Sequence, residues 1–159
     1  MQAKVSGTHI ILFLDFDGVL HPVNGNEGVF CRLPLLWEIL DAIPNAAVVF
    51  STSWREKYSI EEMIEFVTGG EEASPLRPRF IGRNPVSAHR PDRCLPFQRE
   101  RECRLWLNQN GYFGARWMAI DDTSEEFSAT GNVYSVDSTT GLTSKDVTAI
   151  VRRVRSVER

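Results

Sequence analysis

The hydrophobic positions of this chain fall into short solid runs separated by stretches of helical period. That is how strands buried on both faces alternate with amphipathic helices. Residues 9–15 read as a first strand, apolar and β-branched at its start. A loop follows, with Pro22, Gly25 and Gly28. "LPLLWEILDAI", Leu33 to Ile43, places apolar residues at helical spacing, with Pro34 near its start. "AAVVFST", Ala46 to Thr52, is a second buried strand. Over Ser59 to Gly70 the spacing predicts a helix, with Ser59 and Glu62 as a capping box and Gly69 as its stop. Residues 71–97 hold five prolines and no clear period, apart from a short strand at Arg79–Ile81. Long ordered loops of this kind in compact domains are often functional. Pro96 to Gly111 reads as a helix, Arg116 to Asp122 and Asn132 to Asp137 as two strands, and "TSKDVTAIVRRVRSV" as a closing helix capped by Thr143 or Ser144. The order β-α-β-α-loop-α-β-β-α predicts an α/β fold, a mostly parallel sheet with helices on both faces.

Composition narrows the function classes. At 159 residues the chain fits a single domain spanning 1–159, long enough to bury a sizeable core. Hydrophobic content of 42%, charged content of 25% and a net charge of −3 do not describe a whole-protein nucleic-acid or membrane binder. Cys31, Cys94 and Cys103 are scattered and odd in number and form no CxxC pair, which argues against a disulfide framework or a zinc ribbon and favours a reducing compartment. The apolar run Ile10–Leu14 is too short for a membrane span, so the cytoplasm is the expected location, with no membrane partner.

Charge is uneven along the chain. Eight arginines lie between Arg77 and Arg104: Arg77, Arg79, Arg83, Arg90, Arg93, Arg99, Arg101 and Arg104. Only Asp92, Glu100 and Glu102 oppose them. Such a stretch is either a solvated loop and helix face or an anion-facing rim, because arginine forks match phosphate oxygens. The basic end of the closing helix, with Val151 and Val154 three apart, reads as the outer face of an amphipathic helix.

The chemistry is carried by acids at strand ends. "FLDFD" and "AIDD" both finish apolar runs in paired carboxylates. In open α/β sheets ligands sit beyond the carboxyl ends of the strands. Neighbouring strand ends therefore bring Asp15, Asp17, Asp121 and Asp122 into one small volume. Four carboxylates there would repel one another and raise their pKa values. A hard divalent cation removes the conflict, and oxygen donors suit Mg²⁺, which commonly completes its shell with waters and substrate phosphate. Asp15 and Asp17 are two apart, so both can face one cleft while Phe16 faces the core, and Gly18 permits the turn that follows. One acid can attack phosphorus and the other can protonate a leaving oxygen and later activate a water.

These residues also admit other readings. An EF-hand fails, because Gly18 follows Asp17 directly and Asn26 stands where the loop needs Glu. "CLPFQR" has only four residues between Cys94 and Arg99, one short of a cysteine-phosphatase loop, and "GNEG" lacks the lysine of a P-loop. Thr52 and its neighbouring serines could instead cap a helix, Asp121–Asp122 could cap "SEEF", and Arg99 could be a surface charge. His21 and His89 lie in loops, and Trp54, Trp106 and Trp117 fit packing better than stacking on substrate.

"ILFLDFDGVL", "VVFSTSW", "FQRERECRLWL" and "WMAIDD" resemble, in order, the four motifs of the haloacid dehalogenase (HAD) superfamily over residues 10–122. The combination is similar to the small, nearly capless branch that includes HAD domains associated with RNA repair proteins. The resemblance implies a Rossmann-like, HAD-type three-layer sandwich with a minimal cap or none. It implies Asp15 as nucleophile and metal ligand, and Asp17 as general acid/base with its backbone carbonyl on the metal. Thr52 would bind the phosphoryl group, with Ser51 or Ser53 as alternatives. Arg99 would fill the basic role usually held by lysine, with Arg101 or Arg55 as alternatives. Asp122 would bind Mg²⁺ directly and Asp121 would support it. The implied activity is that of a Mg²⁺-dependent phosphatase working through an aspartyl-phosphate. The substrate would be a phosphorylated small molecule or a nucleic-acid end. A phosphotransferase on the same site, or a non-catalytic domain that binds a phosphorylated partner, are the alternatives.

Overall fold

A computed structural model describes residues 10–72, 74–86, 96–128 and 132–156. Five strands form one parallel sheet in the order β3-β2-β1-β4-β5: β1 Ile10–Leu14, β2 Ala46–Phe50, β3 Phe80–Arg83, β4 Arg116–Asp121 and β5 Val133–Ser135. The helices are α1 Leu33–Ala42, α2 Ile60–Thr68, α3 Gln98–Gln109 and α4 Ser144–Ser156.

Side-chain alternation explains the layers. Ile10, Leu12 and Leu14 of β1, with Ala46, Val48 and Phe50 of β2, pack in one core with residues of α1, α2 and α4. Ile11 and Phe13, with Ala47, Val49 and Ala119, point the other way into a second core with Cys103, Trp106 and Leu107 of α3. Every residue of β1 is buried, and burying each large apolar side chain contributes about 1.5–3 kcal/mol. Trp106 and Trp117 are core residues, each edge-on to Phe13. The result is the three-layer α/β sandwich expected from the motif order. Among the described residues no separate cap layer interrupts it: α1 fills the β1–β2 connection, and a 3-10 turn with α2 fills the β2–β3 connection.

Local signals act as the sequence implies. The Ser59 hydroxyl accepts from the Glu62 N–H at 3.1 Å, the Ser59 N–H donates to Glu62 Oε1 at 3.2 Å, and Gly69 closes α2 in the left-handed region. Thr143, not Ser144, caps α4. Its hydroxyl accepts from the Asp146 N–H, and its own N–H donates to Asp146 Oδ2 at 2.8 Å. Several boundaries move: β1, β2 and β4 end before the residues expected to close them, and the strand expected at Asn132–Asp137 shortens to Val133–Ser135. The strand expected at Arg79–Ile81 runs Phe80–Arg83. Arg79 sits in the turn before it and donates to the carbonyls of Leu40, Ile43 and Ala46, tying off the end of α1. The helix expected from Pro96 starts at Gln98, after Phe97 in a left-handed conformation.

The arginine-rich stretch mostly holds the fold together. Arg77 pairs with Glu65 at 2.6 Å, and Arg83 donates to the carbonyls of Arg55 and Tyr58. Arg101 donates to the Pro96 carbonyl, and Arg104 lies over the Trp117 ring near Glu100. Arg90, Arg93, His89 and Cys94 lie outside the described residues. Among the six described arginines of the stretch, Arg99 alone pairs with the strand-end aspartates.

Candidate active site

The register of three strands assembles the site. Leu14 pairs with Phe50 on one side and with Ile120 on the other. The next residues, Asp15, Ser51 and Asp121, therefore stand level at the carboxyl edge. The Asp15 N–H donates to the Ile120 carbonyl at 3.1 Å and the Ser51 N–H to the Leu14 carbonyl at 2.8 Å. By alternation all three share the parity of the α3-facing positions, so their side chains emerge where the first turn of α3 delivers Arg99.

Asp15, Asp121 and Asp122 present carboxylate oxygens that all lie within 4.8 Å of one another. Asp15 and Asp121 are buried and Asp122 is half-buried. Arg99 Nη1 is 3.7 Å from Asp15 Oδ1 and 3.8 Å from Asp121 Oδ2. Among the described residues neither Arg99 Nη1 nor Asp121 Oδ2, both buried, has a hydrogen-bond partner, so two opposite charges face each other with hydrogen-bonding capacity unspent. The other Asp121 oxygen is committed to the backbone and hydroxyl of Thr123.

Electrostatics match the geometry. Burial, and then the Asp121 charge, push the Asp15 carboxyl well above the usual carboxylate range, although Arg99 opposes them. Burial pushes Asp122 up as well, despite a hydrogen bond from Asp15 that holds it down. Burial lowers the Arg99 pKa, but the surrounding acids, Asp15 foremost, outweigh it and the net shift is upward. A cluster that resists carrying three negative charges, made of oxygen donors with one orphaned oxygen, suits a hard divalent cation. Gly18 closes this cluster. At φ +77 it packs so tightly on Asp122 that an added Cβ would lie 2.8 Å from the Asp122 Cγ and closer still to Oδ2.

The expectation of four acids in one volume is corrected to three. β1 ends at Leu14, the turn from Asp17 to His21 is closed by Gly18 N–H to the His21 carbonyl at 2.9 Å, and the group of acids that could share an ion holds Asp15, Asp121 and Asp122 without Asp17. Asp17 is 51% exposed, with Oδ1 at 2.8 Å from His21 Nε2 and Oδ2 accepting from the Trp54 indole N–H at 3.1 Å. His21 and Trp54 therefore hold Asp17, although packing and a loop position are all that their sequence contexts suggest. The i, i+4 spacing of Asp17 and His21 is the signal that could have paired them.

The segment that leaves β2 gives Ser51, Thr52 and Ser53 different surroundings. Thr52 is fully buried and accepts from the Trp54 N–H at 3.2 Å, capping a 3-10 turn over Ser53–Glu56. The capping role and a place at the strand end thus coincide. Ser53 is exposed, and the buried Ser51 hydroxyl accepts from Asn84 Nδ2 at 3.1 Å. Arg55 is not brought to the aspartates. Its guanidinium pairs with buried Glu102 at 2.6 Å and donates to the carbonyls of Thr52, Asn84 and Pro85. Arg55 instead braces the Thr52 loop and the end of β3 against α3, the helix that carries Arg99. Arg101, on the Pro96 carbonyl, is likewise turned away. Burial pushes the Cys103 thiol up to about 12, so it is no thiolate nucleophile.

A parallel sheet of this order, with aspartates on adjacent strand ends and a basic residue reaching them from the helix that precedes β4, defines a HAD-type domain. The chain belongs to the family described as the HAD domain in Swiss Army Knife RNA repair proteins, whose family model matches residues 11–147. No curated protein and no solved structure matches the chain. Family membership supports HAD-type phosphoesterase or phosphotransferase chemistry, and the aspartate cluster can hold a divalent cation. Among the described residues no helix is long and apolar enough to cross a membrane.

Proposed function

We propose that the protein is a phosphomonoester hydrolase that uses Mg²⁺ and forms an aspartyl-phosphate on Asp15. The observation that carries this reading is the buried ion pair of Arg99 Nη1 and Asp121 Oδ2, neither hydrogen-bonded among the described residues, beside the Asp15 carboxylate. Asp15, Asp122 and Asp121 would hold the cation, which when bound offsets the charge of the acids and of the substrate phosphate. The Asp15 carboxylate attacks phosphorus, the bond from phosphorus to the leaving oxygen breaks, and Asp17 gives its proton to that oxygen. A water then attacks phosphorus, the bond from phosphorus to the Asp15 oxygen breaks, Asp17 takes the water's proton, and inorganic phosphate leaves with the Asp15 carboxylate restored. Arg99 balances the phosphoryl charge, and Thr52 offers its hydroxyl hydrogen to a phosphoryl oxygen. The family description and the exposed position of Asp17 support a substrate as large as a nucleic-acid end.

Hydrolysis of an aryl phosphate, with Mg²⁺ and with chelator, tests the proposal. Activity should require the metal and fall roughly 10³-fold or more in Asp15→Asn. Turnover that survives both would remove the mechanism. A panel of phosphorylated metabolites beside 3′- and 5′-phosphorylated oligonucleotides would assign the substrate class.

A further inference from the structure

An exposed carboxylate ordinarily samples several rotamers, yet both oxygens of Asp17 are held. Trp54 Nε1 can only donate, and it does so to Oδ2 at 3.1 Å. The role of His21 follows from its other nitrogen. The Phe30 backbone N–H donates to His21 Nδ1 at 3.3 Å. A ring nitrogen that accepts carries no hydrogen, so the hydrogen sits on Nε2 and His21 donates to Asp17 Oδ1 at 2.8 Å.

Independent features of the fold maintain this arrangement. Phe30 has φ 61, a left-handed conformation that a bulky residue rarely adopts, and such strain persists only where the surroundings over-determine it. Here the Phe30 ring stands edge-on to Phe16 at 5.3 Å and to His21 at 5.5 Å, and it stacks on Phe66 at 5.8 Å. The Trp54 ring is wedged between Phe16, Phe30 and Tyr58. His21 is itself buried. A strained, packed aromatic thus aims a backbone N–H at a buried histidine, and the histidine aims its own N–H at an exposed acid.

We propose that His21 and Trp54 are positioning residues, a two-donor clamp that fixes Asp17 for proton transfer to the leaving oxygen and so suits the site to phosphate esters of alcohols, whose leaving groups need that proton. The inference rests on the reading of Asp17 as the acid/base of a phosphatase. Each carboxyl oxygen has two lone pairs, so one remains on each for the proton that moves. When Asp17 gives that proton up, the charge left behind is already solvated by two fixed N–H groups, with no reorganisation.

The test compares kcat/KM for an alkyl phosphate and for 4-nitrophenyl phosphate, whose leaving group departs without a proton, in the full-length protein. Trp54→Phe and His21→Leu each keep bulk and remove one donor. Each should lower the ratio of alkyl to aryl kcat/KM roughly tenfold or more, within the range of general-acid effects. His21→Gln, which keeps an N–H near the Nε2 position, should restore much of the ratio. An equal fall on both substrates, or no change in the ratio, would overturn the clamp while leaving the phosphatase reading intact. Wild-type turnover that persists in Asp15→Asn, or no turnover of either ester, would instead overturn that reading and the clamp with it. A second measurement needs no variant: ¹⁵N shifts of the His21 ring in the wild-type protein should show the Nε2–H tautomer, and the Nδ1–H tautomer would refute the clamp.

Discussion

Replacing Gly18 with alanine separates backbone strain from damage to the acid cluster, because Gly25 supplies a matched control. The two glycines have nearly the same left-handed backbone, φ +77 and +71. A Cβ at Gly25 meets nothing within 4 Å, whereas at Gly18 it collides with the Asp122 carboxylate. Each alanine should therefore cost about 1 kcal/mol of left-handed strain. For a domain of this size that is a fall of about 3 °C in Tm. Gly18→Ala must also displace Asp122, adding about 1–3 kcal/mol of overpacking. The decisive readout is the response to Mg²⁺. At a hundredfold excess over Kd, binding to the folded state alone stabilises wild type by about 2.7 kcal/mol. If displacing Asp122 weakens Kd tenfold, Gly18→Ala gains only about 1.4 kcal/mol at the same concentration. Thermal melts of wild type, Gly18→Ala and Gly25→Ala, each with Mg²⁺ and with chelator, measure all three. A Gly18→Ala protein that keeps the full Mg²⁺-induced shift would refute the placement of Asp122 in the metal site.

Further outcomes follow from the same geometry. Arg99→Ala removes the guanidinium beside Asp15 and Asp121, so kcat/KM for phosphate esters should fall about 10²-fold or more, as for loss of one oxyanion donor, and kinetics on an aryl phosphate would show it. Glu102→Gln leaves Arg55 buried without its counter-charge and should cost about 3–5 kcal/mol in urea melts. Arg55→Met with Glu102→Leu should recover much of that. The raised pKa values of Asp15 and Asp122 also set a pH dependence. Without metal, their contribution to stability is fully present below the unfolded carboxylate pKa and is lost as pH rises through the raised folded values. Mg²⁺ binds the ionised form, so the Tm difference between Mg²⁺ and chelator should widen from pH 5 to pH 8. A constant difference would contradict the cluster's role.

Much of this architecture was legible because it depends on local pattern. The run "IILFL" is apolar on both faces because helices cover both faces of β1, and Ser59, Glu62 and Gly69 state the limits of α2 without tertiary help. The aspartates were legible for the same reason, since an apolar run has no local cause to end in paired charges. Other features depend on long-range geometry. "SWRE" does not reveal that the Arg55 guanidinium turns inward to Glu102, because that partner lies 47 residues away on α3. Arginine density alone could not separate Arg79, which caps α1, from Arg99, which meets the acids. The departure of Asp17 from the other carboxylates required the turn to His21, and strict alternation along an idealised strand misses that turn.

The central claim is that Asp15 becomes phosphorylated. Rapid acid quench during turnover of a phosphate ester, followed by peptide mass analysis, should find one phosphoryl group on the peptide containing Asp15. It should accumulate further in Asp17→Asn, which lacks the base for hydrolysis, when the ester carries a leaving group that needs no proton. Turnover with no phosphoryl group on that peptide in either protein, or a phosphoryl group found on another residue, would contradict the account.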